Sequence, residues 1–426
     1  MNAEFAFRLG KASAEVLAQG SERSRFLLAS DTRRSGAMLK HALTAGLCAR
    51  GCEVIDVGVL PTPGISYLCQ QEQASAGVVI SASHNPFADN GIKFFNGQGE
   101  KLSDALEQAI EAKLQELEDL PPLTGKDIGL SHTDDKLQEN YFDFLTSQGP
   151  DLSGLRIAVD CANGAAHALA PRLFRQLGAD VDAMSTEPDG LNINVDCGST
   201  HLQALQTRVR KHSYDLGIAF DGDADRVLMV DSQGEVFDGD GMMALTAIAR
   251  QESAIVGTIM SNMGVEVFLR DHGVQLLRAQ VGDRYVKELL KGQGLTLGGE
   301  QSGHLLFLDK APTGDGMLSG LIVLDALLQS GRELGDWRSS IPRYPQILRN
   351  VAIPPERKAN IMQEAIIQEV LAEAEGALAN IGRVNIRPSG TEALVRLMLE
   401  GPDGEQLEGL SQRLSGKLEQ WVAQTT

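Results

Sequence analysis

One pattern recurs three times along this chain: a helix-like stretch, a glycine, a short apolar strand and a turn. The first copy runs from Leu47 to Gly58, with Gly51 ahead of Cys52-Glu53-Val54-Ile55. The second runs from Leu173 to Ser185, with Gly178 ahead of Ala179-Asp180-Val181, and the third from Phe268 to Gly282, with Gly273 ahead of Val274-Gln275-Leu276. Glycine at that place can end a helix in the left-handed conformation before the chain turns into a strand. Copies this far apart predict related α/β domains and not a short-period solenoid. Four more apolar runs fit the scheme: Phe26–Ala29, Gly77–Ile80, Arg156–Val159 and Leu216–Phe220. Each ends near Asp or Ser and a turn. Open α/β sheets bind ligands beyond the carboxyl ends of their strands, so the chemistry is expected just after these runs.

At 426 residues the chain exceeds one ordinary core, which implies several compact units. An apolar share of 42% is globular, and 45 glycines with only 5% aromatics suit α/β domains with many tight turns. Pro121-Pro122 breaks the periodicity and marks a boundary region. After about Asn350 the pattern changes. Val384-Asn385-Ile386, the alternating Leu394–Leu399 and a helix-like Gln406–Val422 predict a smaller α+β unit.

The formal net charge of -19 argues against nucleic acid and anionic membrane as partners. An anionic substrate would need a local basic pocket. No apolar run reaches bilayer length; the best, Leu321–Leu328, is interrupted by Asp325. The N-terminus lacks the basic-then-apolar pattern of a secretion signal. Five cysteines, an odd number with no Cys-x-x-Cys pair, predict a reduced, cytoplasmic protein.

Four motifs carry chemistry. Ser81-Ala82-Ser83-His84-Asn85-Pro86 follows the strand ending at Ile80 and exposes a serine on a turn beside His84 and Asn85. Alone, this is as readily a polar turn closed by proline. No Gly-x-Ser-x-Gly elbow surrounds it, so a hydrolase triad is not supported. Lys93, between apolar strand residues, is a partly desolvated acid or base, or else a solvent-facing strand lysine. Asp221-Gly222-Asp223-Ala224-Asp225-Arg226 follows the strand ending at Phe220. Three carboxylates at alternate positions repel one another without a cation, and their hard oxygens suit Mg²⁺ or Ca²⁺. An EF-hand is excluded, since Arg226 stands where its glycine would be and Ser232 where its glutamate would be. Arg226 can neutralise the cluster or reach a phosphate. Gly299-Glu300-Gln301-Ser302-Gly303-His304 offers acceptors and donors suited to sugar hydroxyls in a flexible turn, although a plain polar loop is the simpler reading. Val281-Gly282-Asp283-Arg284-Tyr285 has the same standing. Arg387-Pro388-Ser389-Gly390-Thr391-Glu392, with Arg396 nearby, can cradle a phosphate or be an ordinary turn between two strands.

Taken together and in this order, the four motifs resemble the α-D-phosphohexomutase superfamily, from about Phe26 to the C-terminus. Within it, Ile80–Phe95, Ser261-Asn262-Met263-Gly264, Val281–Tyr285, Gly299–His304 and Arg387–Glu392 look most like the bacterial phosphoglucosamine mutase branch. The resemblance implies an α/β fold, with three similar α/β domains plus a smaller C-terminal α+β domain around a central cleft. The expected divisions are 1–137 with the phosphoserine loop, 138–238 with the metal loop, 239–348 with the sugar-recognition loop and 349–426 with the phosphate-binding loop.

The resemblance also implies roles. Ser83 bears the phosphate, with His84 and Lys93 as catalytic neighbours. Asp221, Asp223 and Asp225 with phosphorylated Ser83 bind Mg²⁺. Arg226, Glu300, Ser302, His304, Arg387, Ser389, Gly390 and Thr391 bind substrate. The implied activity interconverts glucosamine 6-phosphate and glucosamine 1-phosphate through a 1,6-bisphosphate, so hexosamine phosphate and hexose bisphosphate are the expected partners. The alternatives are a phosphoglucomutase or phosphomannomutase, or a phosphosugar-binding paralogue without turnover. The superfamily opens with a strand and a Gly-Thr-Asp-Gly-Ile-Arg-Gly-like loop whose Arg faces the phosphoserine, whereas this sequence opens at Met1-Asn2-Ala3-Glu4 in the following helix. The expectation is a true start upstream, and Arg33 and Arg34, which match a different segment of the superfamily, are not taken as replacements. Ala224 and Ala393 replace a usual Gly and Pro.

Overall fold

A computed structural model describes residues 1–18, 24–117, 121–358, 360–379, 382–389 and 393–425. The chain forms two compact units, one of Met1–Met260 with Val274–Ser339 and one of Ser261–Gly273 with Ser340–Thr426.

The first unit holds three sheets on one plan. The first contains β1 (Arg25–Ser30), β2 (Glu53–Val59), β3 (Ala76–Ile80), β4 (Ile92–Asn96) and β5 (Ser131–Thr133), in the order β4-β3-β1-β2-β5. The second contains β6 (Arg156–Asp160), β7 (Asp180–Met184), β8 (Leu216–Phe220), β9 (Val227–Asp231) and β10 (Val236–Phe237), in the order β10-β9-β8-β6-β7. The third contains β11 (Ala254–Thr258), β12 (Gln275–Ala279), β13 (Leu297–Gly299) and β14 (Leu305–Phe307), in the order β12-β11-β13-β14. In every sheet the leading strand pairs in parallel with the next strand on one side and with the third on the other. The fourth strand then returns antiparallel to the third.

Parallel pairs need long crossovers, which helices supply. In chain order the helices through this region are α1 (Ala3–Leu17), α2 (Gly36–Cys48), α3 (Thr62–Gln71), α4 (Asp104–Gln115), α5 (Lys136–Gln148), α6 (Leu169–Gln176), α7 (Gln203–His212), α8 (Gly239–Ala249), α9 (Met263–Asp271), α10 (Asp283–Gln293), α11 (Gly316–Ser330) and α12 (Leu334–Ser340). The glycines that mark the sequence repeat all take positive φ: Gly51 at 82°, Gly178 at 100° and Gly273 at 79°. The helix-to-strand turns are therefore built as the pattern predicts. Phe26, Leu28, Leu43, Leu47, Val54 and Val78 pack the first sheet against its helices. Val256, Val286, Leu290 and Leu306 pack the third.

This shared plan positions the chemistry. The turn between the third and fourth strand of each sheet carries a motif: Ser81–Gly91 between β3 and β4, Asp221–Arg226 between β8 and β9, and Glu300–His304 between β13 and β14. Three repeats thus deliver a serine, a carboxylate cluster and the Glu300–His304 loop from equivalent places.

The second unit, to which α9 belongs, contains an antiparallel sheet of β15 (Gln346–Ala352), β16 (Arg383–Pro388) and β17 (Leu394–Glu400), in the order β15-β17-β16. Helices α13 (Ala365–Leu378) and α14 (Gly404–Thr425) cover it. Alternate residues Val395, Leu397 and Leu399 meet Ile367, Val370, Leu410 and Leu414, as a strand with one buried face requires. No helix among the described residues is long and apolar enough to cross a membrane.

Candidate active site

Strand β3 is buried throughout and delivers the serine turn. Ser81 Oγ donates to Asp31 Oδ2 at 2.6 Å and accepts the Ser83 N–H at 3.0 Å. Ser83 has φ of 51°, a left-handed conformation uncommon outside glycine. Its Oγ donates to Asp221 Oδ2 at 2.6 Å and lies 3.4 Å from His84 Nδ1. Arg33 spends its guanidinium on the backbone of this turn. Nη2 donates to the Ser83 and Asn85 carbonyls at 2.9 and 2.7 Å, and Nη1 to Asp89 at 3.1 Å and to Pro86. Nε pairs with Asp31 at 2.8 Å. Asn194 Nδ2 reaches the same Ser83 and Asn85 carbonyls at 2.9 and 3.1 Å. Nothing in Leu191-Asn192-Ile193-Asn194 marks it in the sequence, because its role depends on which loop folds against it.

The acidic loop meets that turn. Asp221 and Asp223 are wholly buried and Asp225 nearly so, with one carboxylate oxygen from each lying within 4.8 Å of the others. A Cβ on Gly222 would lie 2.6 Å from the Ser83 carbonyl oxygen and 2.8 Å from Asn194 Nδ2, so only glycine lets the loops close. Ala224 takes φ of 56°, a left-handed conformation that glycine would adopt without strain. Groups from the first sheet brace the loop. The Thr62 N–H donates to the Asp223 carbonyl at 3.0 Å and Thr62 Oγ1 to Asp223 Oδ2. Lys93 Nζ lies 2.6 Å from Asp223 Oδ2 and 3.6 Å from Asp225 Oδ2. Lys93 is therefore no solvent-facing strand lysine. Burial opposes its charge, but Asp223 and Asp225 outweigh burial and hold its pKa above the ordinary lysine value. Arg226 Nε lies 3.8 Å from Asp225 Oδ1.

Burial and the neighbouring Asp225 and Asp223 push the Asp221 carboxyl well above the usual carboxylate range. Burial acts the same way on Asp225, but Lys93, His304 and Arg226 hold it well below. Asp223 Oδ1 is buried with no hydrogen-bond donor. Three buried carboxylates with an orphaned oxygen fit a hard divalent cation. The cluster is a candidate metal centre.

The third loop is a tight turn and not the flexible one expected. Gly303, at φ of 88°, donates its N–H to the Glu300 carbonyl at 3.0 Å, and a side chain there would collide with the Val227 carbonyl. Glu300 Oε1 accepts the Gly282 N–H at 3.0 Å, and Ser302 is half-buried beside it. His304 is buried, with Nδ1 3.5 Å from Asp225 Oδ1 and Nε2 3.5 Å from Asp283 Oδ2. Burial works against its charge, but Asp225 and Asp283 push its pKa up to about 9. Asp283 also pairs with Lys101. In the sequence the Asp283 segment carries no more weight than a polar loop. The structure brings it to His304 because α10 begins there. Behind the cluster, Tyr141 Oη donates at 2.7 Å to Asp315 Oδ2, whose carboxylate caps α11 through the Leu318 N–H at 3.0 Å. Burial pushes Asp315 up to about 6.

Arg387 and Ser389 lie in the second unit at the end of β16; Gly390 and Thr391 lie outside the described residues. Arg387 stands directly opposite Arg396 in the antiparallel ladder, and Arg396 Nη2 approaches Ser389 Oγ at 3.4 Å. Like charges facing each other across strands are unfavourable.

Family models for the three alpha/beta/alpha domains and the C-terminal domain of phosphoglucomutase/phosphomannomutase match residues 1–120, 139–234, 238–344 and 348–417. The chain belongs to the phosphoglucomutase/phosphomannomutase family. It is 52% identical over 411 residues to a phosphoglucosamine mutase of Deinococcus deserti, covering 96% of this chain and 92% of the relative. It is 48% identical over 403 residues to that of Thermus thermophilus, covering 95% and 91%. Two solved structures share the fold. One is a phosphoglucomutase/phosphomannomutase family protein from Burkholderia thailandensis (TM-score 0.81, 24% identity, 98% of this chain and 94% of that one). The other is Aspergillus fumigatus N-acetylphosphoglucosamine mutase in complex with GlcNAc-6P and magnesium (TM-score 0.62, 17% identity, 85% and 92%). As a member of this family the chain is a hexose-phosphate mutase, an isomerase that acts on sugar phosphates.

Proposed function

We propose that this mutase interconverts glucosamine 6-phosphate and glucosamine 1-phosphate through phosphorylated Ser83 and a hexosamine 1,6-bisphosphate, with Mg²⁺ as its metal. The observation that carries the reading is Ser83 Oγ, held 2.6 Å from Asp221 at the mouth of the buried carboxylate cluster. The near half-identity to named phosphoglucosamine mutases supports the choice of sugar.

In the first half-reaction the phosphoserine P–Oγ bond breaks as a bond forms from phosphorus to a substrate hydroxyl oxygen. The hydroxyl proton leaves to a neighbouring base, and Oγ is returned as the hydroxyl. The bisphosphate turns over in place. In the second half-reaction Oγ attacks the other phosphate, and the released sugar oxygen takes up the proton. His84 and Lys93 are the proton-carrying groups beside Ser83 and Asp223. Asp221, Asp223 and Asp225, with a phosphoryl oxygen on Ser83, would hold Mg²⁺. When bound, that ion draws charge from the transferring group. Arg226 supplies a second positive charge, while Glu300, Ser302 and His304 offer partners for sugar hydroxyls. Arg387, Ser389, Gly390 and Thr391 are assigned to the distal phosphate on the resemblance of the Arg387–Glu392 segment. The divisions 1–137, 138–238, 239–348 and 349–426 serve as the domains of this reading, and the cytoplasm as its compartment.

The test is turnover of glucosamine 6-phosphate, glucose 1-phosphate and mannose 1-phosphate by the purified protein, primed with glucose 1,6-bisphosphate and Mg²⁺. The expected result is kcat/KM at least about tenfold higher for the glucosamine substrate. A preference for glucose or mannose phosphate reassigns the sugar. Binding without turnover of any of them supports a phosphosugar-binding paralogue.

A further inference from the structure

A turn that alternately carries and surrenders a phosphoryl group gains and loses nearly two negative charges in each cycle. Its nucleophile has to return to the same place each time. Ser83 achieves this in the left-handed region, where a non-glycine residue stays only if its surroundings over-determine it. Within the turn itself, the Asn85 N–H donates to the Ala82 carbonyl at 3.0 Å and the Asp89 N–H to Pro86 at 3.1 Å. Those bonds close the turn but leave the Ser83 carbonyl unclaimed.

Two side chains from different sheets claim it. Arg33 follows β1 in the first sheet, and its side chain and that of Asp31 are both wholly buried. Its planar fork is aimed at acceptors throughout: Asp31 and the carbonyls of Ser83, Asn85, Pro86 and Asp89. Asn194, in the segment between β7 and α7 of the second sheet, gives its two amide hydrogens to the Ser83 and Asn85 carbonyls. Its backbone is itself tied down, with the Asn194 N–H on the Ala162 carbonyl at 2.9 Å. The Ser83 and Asn85 carbonyls thus each receive one donor from each sheet. Gly222 of the metal loop presses on the same carbonyl and on the Asn194 amide, so the clamp, the serine and the carboxylate loop share one tightly packed junction. These hydrogen bonds of Arg33 and Asn194 go to Asp31 and to backbone carbonyls, not to the Ser83 hydroxyl or the three clustered carboxylates.

We infer that Arg33 and Asn194 are positioning residues for phosphoryl transfer, clamping the Ser83 carbonyl from both sides so that Oγ stays in register with Asp221. The inference rests on the reading of Ser83 as the phosphate carrier. A bidentate guanidinium contact cannot be reproduced by an ammonium, so lysine at position 33 loses the clamp while keeping the charge opposite Asp31. Asn194→Ala removes two donors and leaves every buried charge in place.

The experiment uses the full chain with Asn194→Ala and, separately, Arg33→Lys. The rate of Ser83 phosphorylation by glucose 1,6-bisphosphate is followed by intact mass. In that step the sugar O–P bond breaks, the Oγ–P bond forms and the Oγ proton ends on the released sugar oxygen. Steady-state kcat and KM for glucosamine 6-phosphate are measured beside it, with circular dichroism as a check of the fold. Both variants should slow phosphorylation and kcat by about 10- to 100-fold, the usual consequence of a nucleophile displaced by up to an ångström, while KM stays within about twofold. Amide hydrogen exchange over 83–89 should quicken in both. A folded Asn194→Ala protein with wild-type phosphorylation rate overturns the inference, as does a rise in KM at unchanged kcat. If Arg33→Lys fails to fold, Asn194→Ala alone decides. Wild-type protein that is phosphorylated on Ser83 but does not turn over glucosamine 6-phosphate sinks only the sugar assignment. Wild-type protein that is never phosphorylated on Ser83 sinks the phosphoserine reading and the clamp together.

Discussion

Two like-charge clusters occur in this chain, and they are built in opposite ways. The acidic one packs three carboxylates into five residues, buries them and surrounds them with its own Arg226 and with Ser83, Thr62, Lys93 and His304 from elsewhere in the chain. The basic one is a facing pair, Arg387 and Arg396, half-buried on neighbouring strands of a small sheet. The difference lies in how deeply each set of like charges is buried. Burying charge costs several kcal/mol, so the acidic cluster is rigidly braced and met by Lys93, Arg226 and His304. A half-exposed pair is screened by water and salt over about 8–10 Å, so its mutual repulsion costs less. A protein of net charge -19 can therefore hold an anionic substrate through a few local cations, provided that its densest negative charge is sealed inside.

The comparison breaks most visibly at the nucleophile. Ser83→Ala should lower mutase activity by on the order of a thousandfold or more and abolish phosphoprotein mass, with the fold retained because the site is a turn. Retained activity in Ser83→Ala together with its loss in Ser81→Ala would move the phosphate to the wrong side of the cluster.

The acidic cluster comes next. Excess EDTA, or Asp223→Asn, should cost about 100- to 1,000-fold in kcat, restored by Mg²⁺ only in the wild type. Undiminished turnover in EDTA would show that the carboxylates do not need an ion.

A smaller effect is expected from the basic pair. Arg387→Ala should raise KM for the sugar phosphate about tenfold, as loss of one charge-assisted contact does, with kcat little changed. Its KM should also depend less on salt than the wild-type value. A KM equal to that of the wild type in titrations at two ionic strengths would place the phosphate elsewhere.

The smallest effect sharpens the account of burial itself. Asp315 lies behind the acidic cluster with its folded-state pKa raised to about 6. A raised carboxyl pKa means that the folded state binds the proton more tightly. Stability from this group is present below the unfolded pKa of roughly 4 and is lost as pH rises through about 6, a change on the order of 3 kcal/mol. Urea unfolding at several pH values between 4 and 7 should show that slope in the wild type and a flatter one in Asp315→Asn. Parallel curves would mean that the Tyr141 and Leu318 hydrogen bonds fully offset the burial.

The architecture was legible because it is written locally. A glycine that needs positive φ and an apolar run of strand length are properties of a few neighbouring residues, so the three repeats and the smaller C-terminal unit could be read directly. The dense spacing of Asp221, Asp223 and Asp225 was equally plain, since three negative charges within five residues repel one another until a cation joins them. The Glu300–His304 loop was harder. Its composition suggested flexibility, but the contact of Gly303 with the Val227 carbonyl makes it tight.

Local sequence specifies the set of parts: helix–glycine–strand repeats, a serine turn, an acidic loop and an arginine-bearing strand end. Tertiary structure alone decided their use. It put all three motif turns of the first unit at the same place in three equivalent sheets, turned Lys93 inward onto Asp223, drew Asp283 to His304, and set Arg33 and Asn194 on one carbonyl from two sheets. The physical reason is range. Backbone conformation and close-spaced charge repulsion act over a few residues, whereas a hydrogen bond to Ser83 from a residue 111 positions away exists only once both loops have folded against each other.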